Sequence, residues 1–164
     1  MRNKGEHSSC EFPETIGKKP RSQNRHYRFQ DNFRWKGVRV QEYKSKGQDW
    51  HGIARQALIG AGGETTEFHL RYFEIEPDGY SSFEKHTHEH VVIGVRGKGR
   101  ARINRRHIDL NFMDVLYIRP DEPHRLYNPY NEPFGFFCIV NAKRDRPEQV
   151  KIGTKAHRGK GTKF

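Results

Sequence analysis

Between Gly79 and Gly99 the chain carries Glu84, His86, His88 and His90 at alternate positions, just ahead of the glycines Gly97 and Gly99. Imidazole nitrogens and a carboxylate oxygen converging on one point suit divalent Mn, Fe, Co, Ni or Zn. In an extended strand successive side chains face opposite sides, so this spacing puts the four ligand-capable groups on one face and Lys85, Thr87 and Glu89 on the other. A surface histidine tract has the same composition. What separates the two readings is a further histidine able to reach the same point. His124 answers: it follows the strand-like stretch Val115–Ile118 and the proline-bounded turn Pro120-Asp-Glu-Pro123, where an adjacent antiparallel strand would face the first cluster.

A second reactive group lies near the end of the apolar chain. In Phe134-Gly-Phe-Phe-Cys138-Ile-Val-Asn-Ala, strand alternation sets Phe136, Cys138 and Val140 on one face and Phe137 and Ile139 on the other. Buried cysteine is commonly an inert small hydrophobe. A neighbouring dication, however, lowers a thiol's pKa and makes the thiolate a nucleophile or a ligand. The other cysteine, Cys10, stands in a polar N-terminal stretch, and the two read as separate thiols, not a disulfide.

The elements that must position these groups are strands. From about Trp35 the chain is a succession of short segments rich in aromatic and β-branched residues, divided by turn residues. Strands are expected at Val38–Tyr43, Ile53–Ile59, Phe68–Ile75, Tyr80–His86, Val91–Arg96, Gly99–Ile103, His107–Leu110, Val115–Ile118, His124–Tyr127 and Gly135–Val140, with room for one short helix. Turn chemistry separates them at Gly60-Ala-Gly-Gly63, Pro77-Asp-Gly79, Asn104-Arg-Arg106, Pro120-Asp-Glu-Pro123 and Asn128-Pro-Tyr-Asn131. An all-β double-sheet jelly roll is the economical arrangement. The apolar fraction, 32% of 164 residues, is low enough that part of the chain is expected outside the core.

Charge locates that part. Residues 1–30 hold seven Lys/Arg against three Asp/Glu and residues 143–164 hold eight against two, while the middle is nearly neutral although the whole chain carries +11. The expected organisation is a basic flexible tail over 1–30, a single barrel over 31–142 with its site segments at 79–99 and 113–128, and a basic tail over 143–164. A nucleic-acid binder clusters Lys/Arg on a folded face. Here the excess sits in polar, periodless ends, which implies solubility and weak nonspecific attraction to anions. No apolar run reaches the length of a signal peptide or membrane span, so a soluble cytoplasmic protein is expected.

The two histidine segments together resemble the cupin superfamily, with its motifs G-x5-H-x-H-x3/4-E-x6-G and G-x5-P-x-G-x2-H-x3-N, over roughly residues 66–142. His90 lies seven residues before Gly97, in the place of the usual third ligand. Counting back sets His86 at the second and Glu84 at the first histidine position, and His124 with Asn128 matches the second motif. The metal set that the resemblance implies is Glu84, His86, His90 and His124. Glu84 in place of a histidine adds negative charge and favours Mn or Fe(II). Met113 and Asp121 stand where the second motif has glycines, so its turns are expected to be made differently. His88 is not required by the spacing and is left as a ligand, an outer-sphere group or an acid/base.

A narrower resemblance joins Gln56-Ala-Leu-Ile-Gly, Leu70–Ile75, Tyr80–His90, Pro123-His124 and Gly135–Pro147 to a branch of small cupins that includes manganese-dependent methylthioxylulose-phosphate methylsulfurylases. It implies methylthio transfer from a phosphosugar to a thiol such as glutathione, with Cys138 taking the group first and His88 moving a proton. Manganese leads the metals so implied, with Fe, Ni, Co or Zn as alternatives, and such cupins commonly form homodimers. A phosphate needs a fixed cation, and Arg55, Arg71 and Arg119 are the arginines nearest predicted strands or the site rim. Two other readings use the same barrel: an Fe(II) dioxygenase with no need of Cys138, and a non-catalytic small-ligand-binding module.

Overall fold

A computed structural model describes residues 23–44 and 49–150. Among the described residues there are thirteen strands: β1 (Phe29–Gln30), β2 (Arg34–Trp35), β3 (Gln41–Glu42), β4 (His51–Ile59), β5 (Phe68–Tyr80), β6 (Glu84–Lys85), β7 (His90–Arg96), β8 (Gly99–Ile103), β9 (Arg106–Leu110), β10 (Val115–Ile118), β11 (His124–Tyr127), β12 (Phe134–Asn141) and β13 (Glu148–Gln149). The described residues contain no helix, the short one that the sequence left room for included. A hairpin of β1 and β2 stands apart; the other strands form one antiparallel sheet rolled into a nearly closed barrel, the expected jelly-roll arrangement. No helix of the described residues is long and apolar enough to cross a membrane.

Alternation along β12 builds the interior. Phe134, Phe136, Cys138 and Val140 are buried and meet Ile53, Phe73, Ile75, Val92, Ala101, Leu110, Ile118 and Leu126 from the other strands. On the opposite side of the barrel wall, Trp35 and Phe33 of the N-terminal hairpin pack on Tyr72 and Phe137, and Tyr72 donates to the buried Glu74, which also pairs with Arg96 and Arg34.

Register carries the sheet's interior rows. β12 lies between β5 and β7, pairing Cys138 with Arg71 and Val92, and Val140 with His69 and His90. Directly paired residues point to the same face, so Arg71, Cys138 and Val92 form one inward row and His90 belongs to the next. Pairing of Arg55 with Phe73, and of Phe73 with Phe136, puts Arg55 into the same interior beside Arg71.

Several elements depart from their expected bounds. Phe68–Ile75 and Tyr80–His86 were expected as two strands divided at Pro77-Asp-Gly79; β5 instead runs through that triplet to Tyr80. Asp78, at φ 61°, makes a kink inside the strand, the partner strand β4 shifts register opposite it, and Asn128 satisfies the kinked backbone by exchanging hydrogen bonds with Asp78 N and Gly79 O. At the C-terminal end, β13 pairs with β6 and Val150 N donates to Phe83 O. The barrel therefore continues past residue 142 into residues 143–150, which charge alone had consigned to a tail. The remaining basic stretches, 1–22 and 151–164, lie outside the described residues together with Cys10.

Candidate metal centre and its cavity

Three imidazoles meet at one point. Nitrogens of His86, His90 and His124 lie within 4.8 Å of one another, contributed by the loop after β6, the start of β7 and the start of β11. Backbone acceptors orient two of the rings: His86 Nδ1 donates to His88 O at 2.7 Å and His124 Nδ1 donates to Glu122 O at 2.8 Å. With Nδ1 carrying the proton, each Nε2 keeps its lone pair, the ligand form that such outer contacts enforce. His86 Nε2 also faces His90 Nε2 at 3.0 Å. A lone pair held there needs a proton or a cation opposite it, and the donor set fits a divalent transition metal. Burial, followed by the neighbouring His124 and His86, pushes His90 well below the usual imidazole range. Burial pushes His124 down to about 4. Both are thus neutral at ordinary pH, as ligation requires.

The local chain path differs from a strand. β6 ends at Lys85 and the backbone bends at Thr87-His88 before β7 begins, so the four alternating side chains do not share one flat face. The bend stacks the His86 and His88 rings at 3.5 Å between centroids and 4° between planes. Asp145 holds it: its carboxylate accepts from Thr87 N at 2.8 Å, His88 N at 3.2 Å and His88 Nδ1 at 2.7 Å. These contacts, the Thr87 amide first and His88 next, hold the Asp145 carboxyl well below the usual carboxylate range. Burial lowers the His88 pKa, with Asp145 pulling the other way. Asp145 was missed from sequence because it stands 57 residues beyond His88 in a segment read as tail.

Glu84 is not gathered into the three-imidazole cluster. It is buried and cross-strand from His124, but its carboxylate is held by Lys44 Nζ at 2.5 Å, which also donates to Ser82 Oγ at 2.9 Å. An ammonium so placed takes up the negative charge that the implied ligand set assigned to the metal.

Cys138 lies where alternation placed it, buried and facing inward. Its Sγ is 3.1 Å from His90 Nδ1 and 3.5 Å from an Arg71 guanidinium nitrogen. Burial pushes the thiol pKa up, and Arg71 pulls it back. Sulfur, His88, His90 and His124 line one cavity of about 160 Å³ together with Tyr43, Lys44, Arg55, Arg71, Arg144 and Asp145. That is space for a small metabolite. Two of the three arginines expected at the site are there; Arg119 is not. Its side chain is 72% exposed, pairs with Glu122 at 2.5 Å and borders a separate surface hollow with Arg102, Arg105 and Arg106. Strand-end position alone could not tell which side of the barrel wall Arg119 would take. Arg144, one residue before Asp145, stands in the cavity in its stead.

Comparison with known proteins agrees with this architecture. Residues 71–140 match the cupin domain model. The chain is 38% identical over 121 residues, 73% of its own length and 76% of the relative's, to the 1-methylthio-D-xylulose 5-phosphate methylsulfurylase of Rhodospirillum rubrum. The chain belongs to the cupin family. Among solved structures, a cupin-2 domain protein of R. rubrum is 35% identical with a TM-score of 0.67, over 75% of this chain and 82% of that one. A cupin 2 conserved barrel protein of Rhodopseudomonas palustris is 31% identical with a TM-score of 0.71, over 77% and 87%.

Two departures of this cupin from its family's second motif take an unexpected form. Met113 and Asp121, standing for glycines, adopt φ of 67° and 59°, so the turns keep the left-handed conformation that glycine would supply and are not remade. Each is tied down: Met113 N donates to Gly94 O and Asp121 N to His86 O, both at 2.8 Å. The strained Asp121 thus anchors the backbone of a metal-site histidine. The motif's Asn128 is a buried fastener, its amide donating to Ile75 O at 2.9 Å and Glu132 O at 2.7 Å while its Oδ1 accepts from Tyr130 N at 3.1 Å. At the first motif's end, Gly97 has φ of 57° and a side chain there would meet Pro133 O at 2.4 Å.

Proposed function

We propose that this cupin is a metal-dependent enzyme that moves a methylthio group from a phosphorylated keto-sugar to a thiol, Cys138 carrying the group in between. The supporting observation is the thiol of Cys138 set against His90 Nδ1 at 3.1 Å inside the cavity that the site histidines line. Similarity to the R. rubrum methylsulfurylase points the same way. A divalent ion bound by His86, His90 and His124, manganese first and Fe, Ni, Co or Zn after it, would supply a Lewis acid for the ketone and hydroxyl of the sugar.

The protein's own groups then divide the work. Cys138, as thiolate, attacks the sulfur of the sugar's C–S–CH3 unit: an S–S bond forms, the C–S bond breaks, and its electron pair stays on carbon. That carbon takes a proton from His88, for which the ring must carry one on Nε2 while its Nδ1–H is held by the Asp145 carboxylate. Carbon is thereby reduced and Cys138 oxidised to a methyl disulfide. An acceptor thiol gives its proton to His88, restoring the acid, and as thiolate attacks the methylthio sulfur, leaves as its own methyl disulfide and returns the Cys138 thiolate. The reaction is set in the cytoplasm, where reduced thiols abound, and in a homodimer, for which the exposed Phe112, Met113, Val115 and Tyr117 offer an apolar surface.

The test is turnover of 1-methylthio-D-xylulose 5-phosphate with glutathione by the manganese-loaded chain. Cys138→Ala is expected to abolish methyl disulfide formation with metal content unchanged. Full activity in that variant removes the covalent step. Oxygen consumption by the iron-loaded variant would favour an oxygenase instead.

A further inference from the structure

We infer that Arg55, Arg71 and Arg144 form an oxyanion site within the cavity that takes the substrate's phosphate group, an inference that rests on the phosphosugar reading above. The cavity wall carries four cations, Lys44, Arg55, Arg71 and Arg144, and two acids, Glu84 and Asp145. Both acids are already engaged: Glu84 by Lys44 at 2.5 Å, Asp145 by the Thr87 and His88 amides and the His88 ring. Among the described residues none of the three arginines has a salt-bridge partner.

The three come from separate elements, Arg55 from β4, Arg71 from β5 and Arg144 from the segment after β12, yet they sense one another. Burial, then Arg71, lowers the Arg55 pKa, and burial, then Arg71, lowers that of Arg144. The Nε atoms of Arg55 and Arg71 are buried with no hydrogen-bond partner among the described residues. Arg144 spends one nitrogen on Asn141 O at 2.8 Å, and Arg71 one on Cys138 Sγ at 3.5 Å; each guanidinium has five N–H donors, so most remain. A buried donor left without an acceptor is costly, and three like charges sharing a cavity repel. One group relieves both: a dianion with three acceptor oxygens, the geometry of a phosphate monoester against forked guanidinium donors. A single carboxylate would leave excess positive charge. Tyr43, beside Arg55 and Arg71, is held protonated by burial and the nearby Glu84 and so does not neutralise them.

The experiment is calorimetric titration of the metal-loaded, full-length chain with inorganic phosphate, in wild type and in Arg55→Gln, Arg71→Gln, Arg144→Gln and Arg119→Gln. Each of the first three is expected to weaken phosphate binding by about tenfold or more, with metal content unchanged, while Arg119→Gln binds as wild type. Arg144 is exposed, so its variant keeps the fold and remains decisive if Arg71→Gln does not fold. Wild-type affinity in both Arg55→Gln and Arg144→Gln overturns the inference. So does phosphate binding that is lost on removing the metal but is indifferent to the arginines. Malonate is the second arm: tighter binding of malonate than of phosphate through the same arginines assigns the site to carboxylates and overturns the phosphate assignment. Arginine-dependent phosphate binding in a protein that turns over no phosphosugar supports the oxyanion site and sinks the reaction; phosphosugar turnover untouched by all three variants does the reverse.

Discussion

Lys44 and Glu84 form the contact on which the metal set turns, and a double-mutant cycle measures it. The ammonium is 29% exposed and the carboxylate 9%, at 2.5 Å. Exposed ion pairs contribute about 0.2–1 kcal/mol, whereas removing one partner of a buried pair costs about 3–5 kcal/mol. With one partner buried and the other partly wet, and with Ser82 Oγ sharing the ammonium at 2.9 Å, Lys44→Met is expected to cost about 2 kcal/mol. For a domain of this size that is a fall in Tm on the order of 6–10 °C. Glu84→Gln in the Lys44→Met background should recover much of it, because the uncompensated charge is gone. Unfolding of the four proteins in urea with chelator present gives the coupling energy, expected at about 1.5 kcal/mol. Single-variant costs that add to the double-variant cost within about 0.5 kcal/mol would refute the pair. A second readout follows from Glu84 lying cross-strand from His124: once Lys44 is gone, the free carboxylate should raise metal affinity, seen by competition with a chelating dye.

Further expectations are simpler to test. His90→Ala or His124→Ala should weaken metal binding by about 100-fold or more, while Glu84→Gln changes it by less than about tenfold; the scale is set by outer contacts, which alone are worth roughly 10–100-fold, and metal analysis after dialysis reads it. Met113 is 62% exposed at φ 67°, so Met113→Gly should release about 1–2 kcal/mol of left-handed strain against about 0.4–1 kcal/mol of added unfolded-state entropy; a net gain near 0.5 kcal/mol in chemical denaturation is expected, and a loss of that size would contradict it. Asn128→Ala strips donors from two carbonyls and an acceptor from Tyr130 N, and should cost about 2–3 kcal/mol, measured the same way.

Much of the barrel was legible in the sequence because burial on one face imposes a period of two. Gly99–Ile103, Val115–Ile118 and His124–Tyr127 have the expected bounds, and Cys138 faces inward as alternation requires. What was not legible lies where the period is broken by contacts distant in sequence. The alternation from Glu84 to His90 reads as one extended run, but the backbone bends at Thr87-His88, where Asp145 offers a carboxylate to two consecutive amides. Pro77-Asp-Gly79 carries turn chemistry, yet Asn128 supplies hydrogen bonds that let β5 pass through it. Arg119 and Arg144 show the same limit from the other side. Charge gives a residue's chemistry, and only packing decides whether it meets the cavity or the solvent.

His90 joins the two reactive halves of the site through its tautomer. An imidazole has one proton to place when neutral. In the metal-free protein, His86 Nε2 keeps a lone pair because its Nδ1 donates to His88 O, so His90 Nε2, 3.0 Å away, must bring the proton. His90 Nδ1 is then an acceptor, and at 3.1 Å it takes the Cys138 S–H. Were His90 Nε2 to hold a metal, the ring's proton would sit on Nδ1 and the contact with Cys138 would reverse, nitrogen donating and sulfur accepting, with Arg71 as a second donor at 3.5 Å. Two donors aimed at the sulfur would favour the thiolate, against the burial that pushes the thiol pKa up. Stripping the metal should therefore slow alkylation of Cys138 by iodoacetamide by about tenfold or more, and His90→Ala should abolish the difference between stripped and loaded protein. Equal alkylation rates in loaded and stripped wild type would mean that the thiol does not sense the centre, and Cys138 would be a core residue that happens to lie beside it.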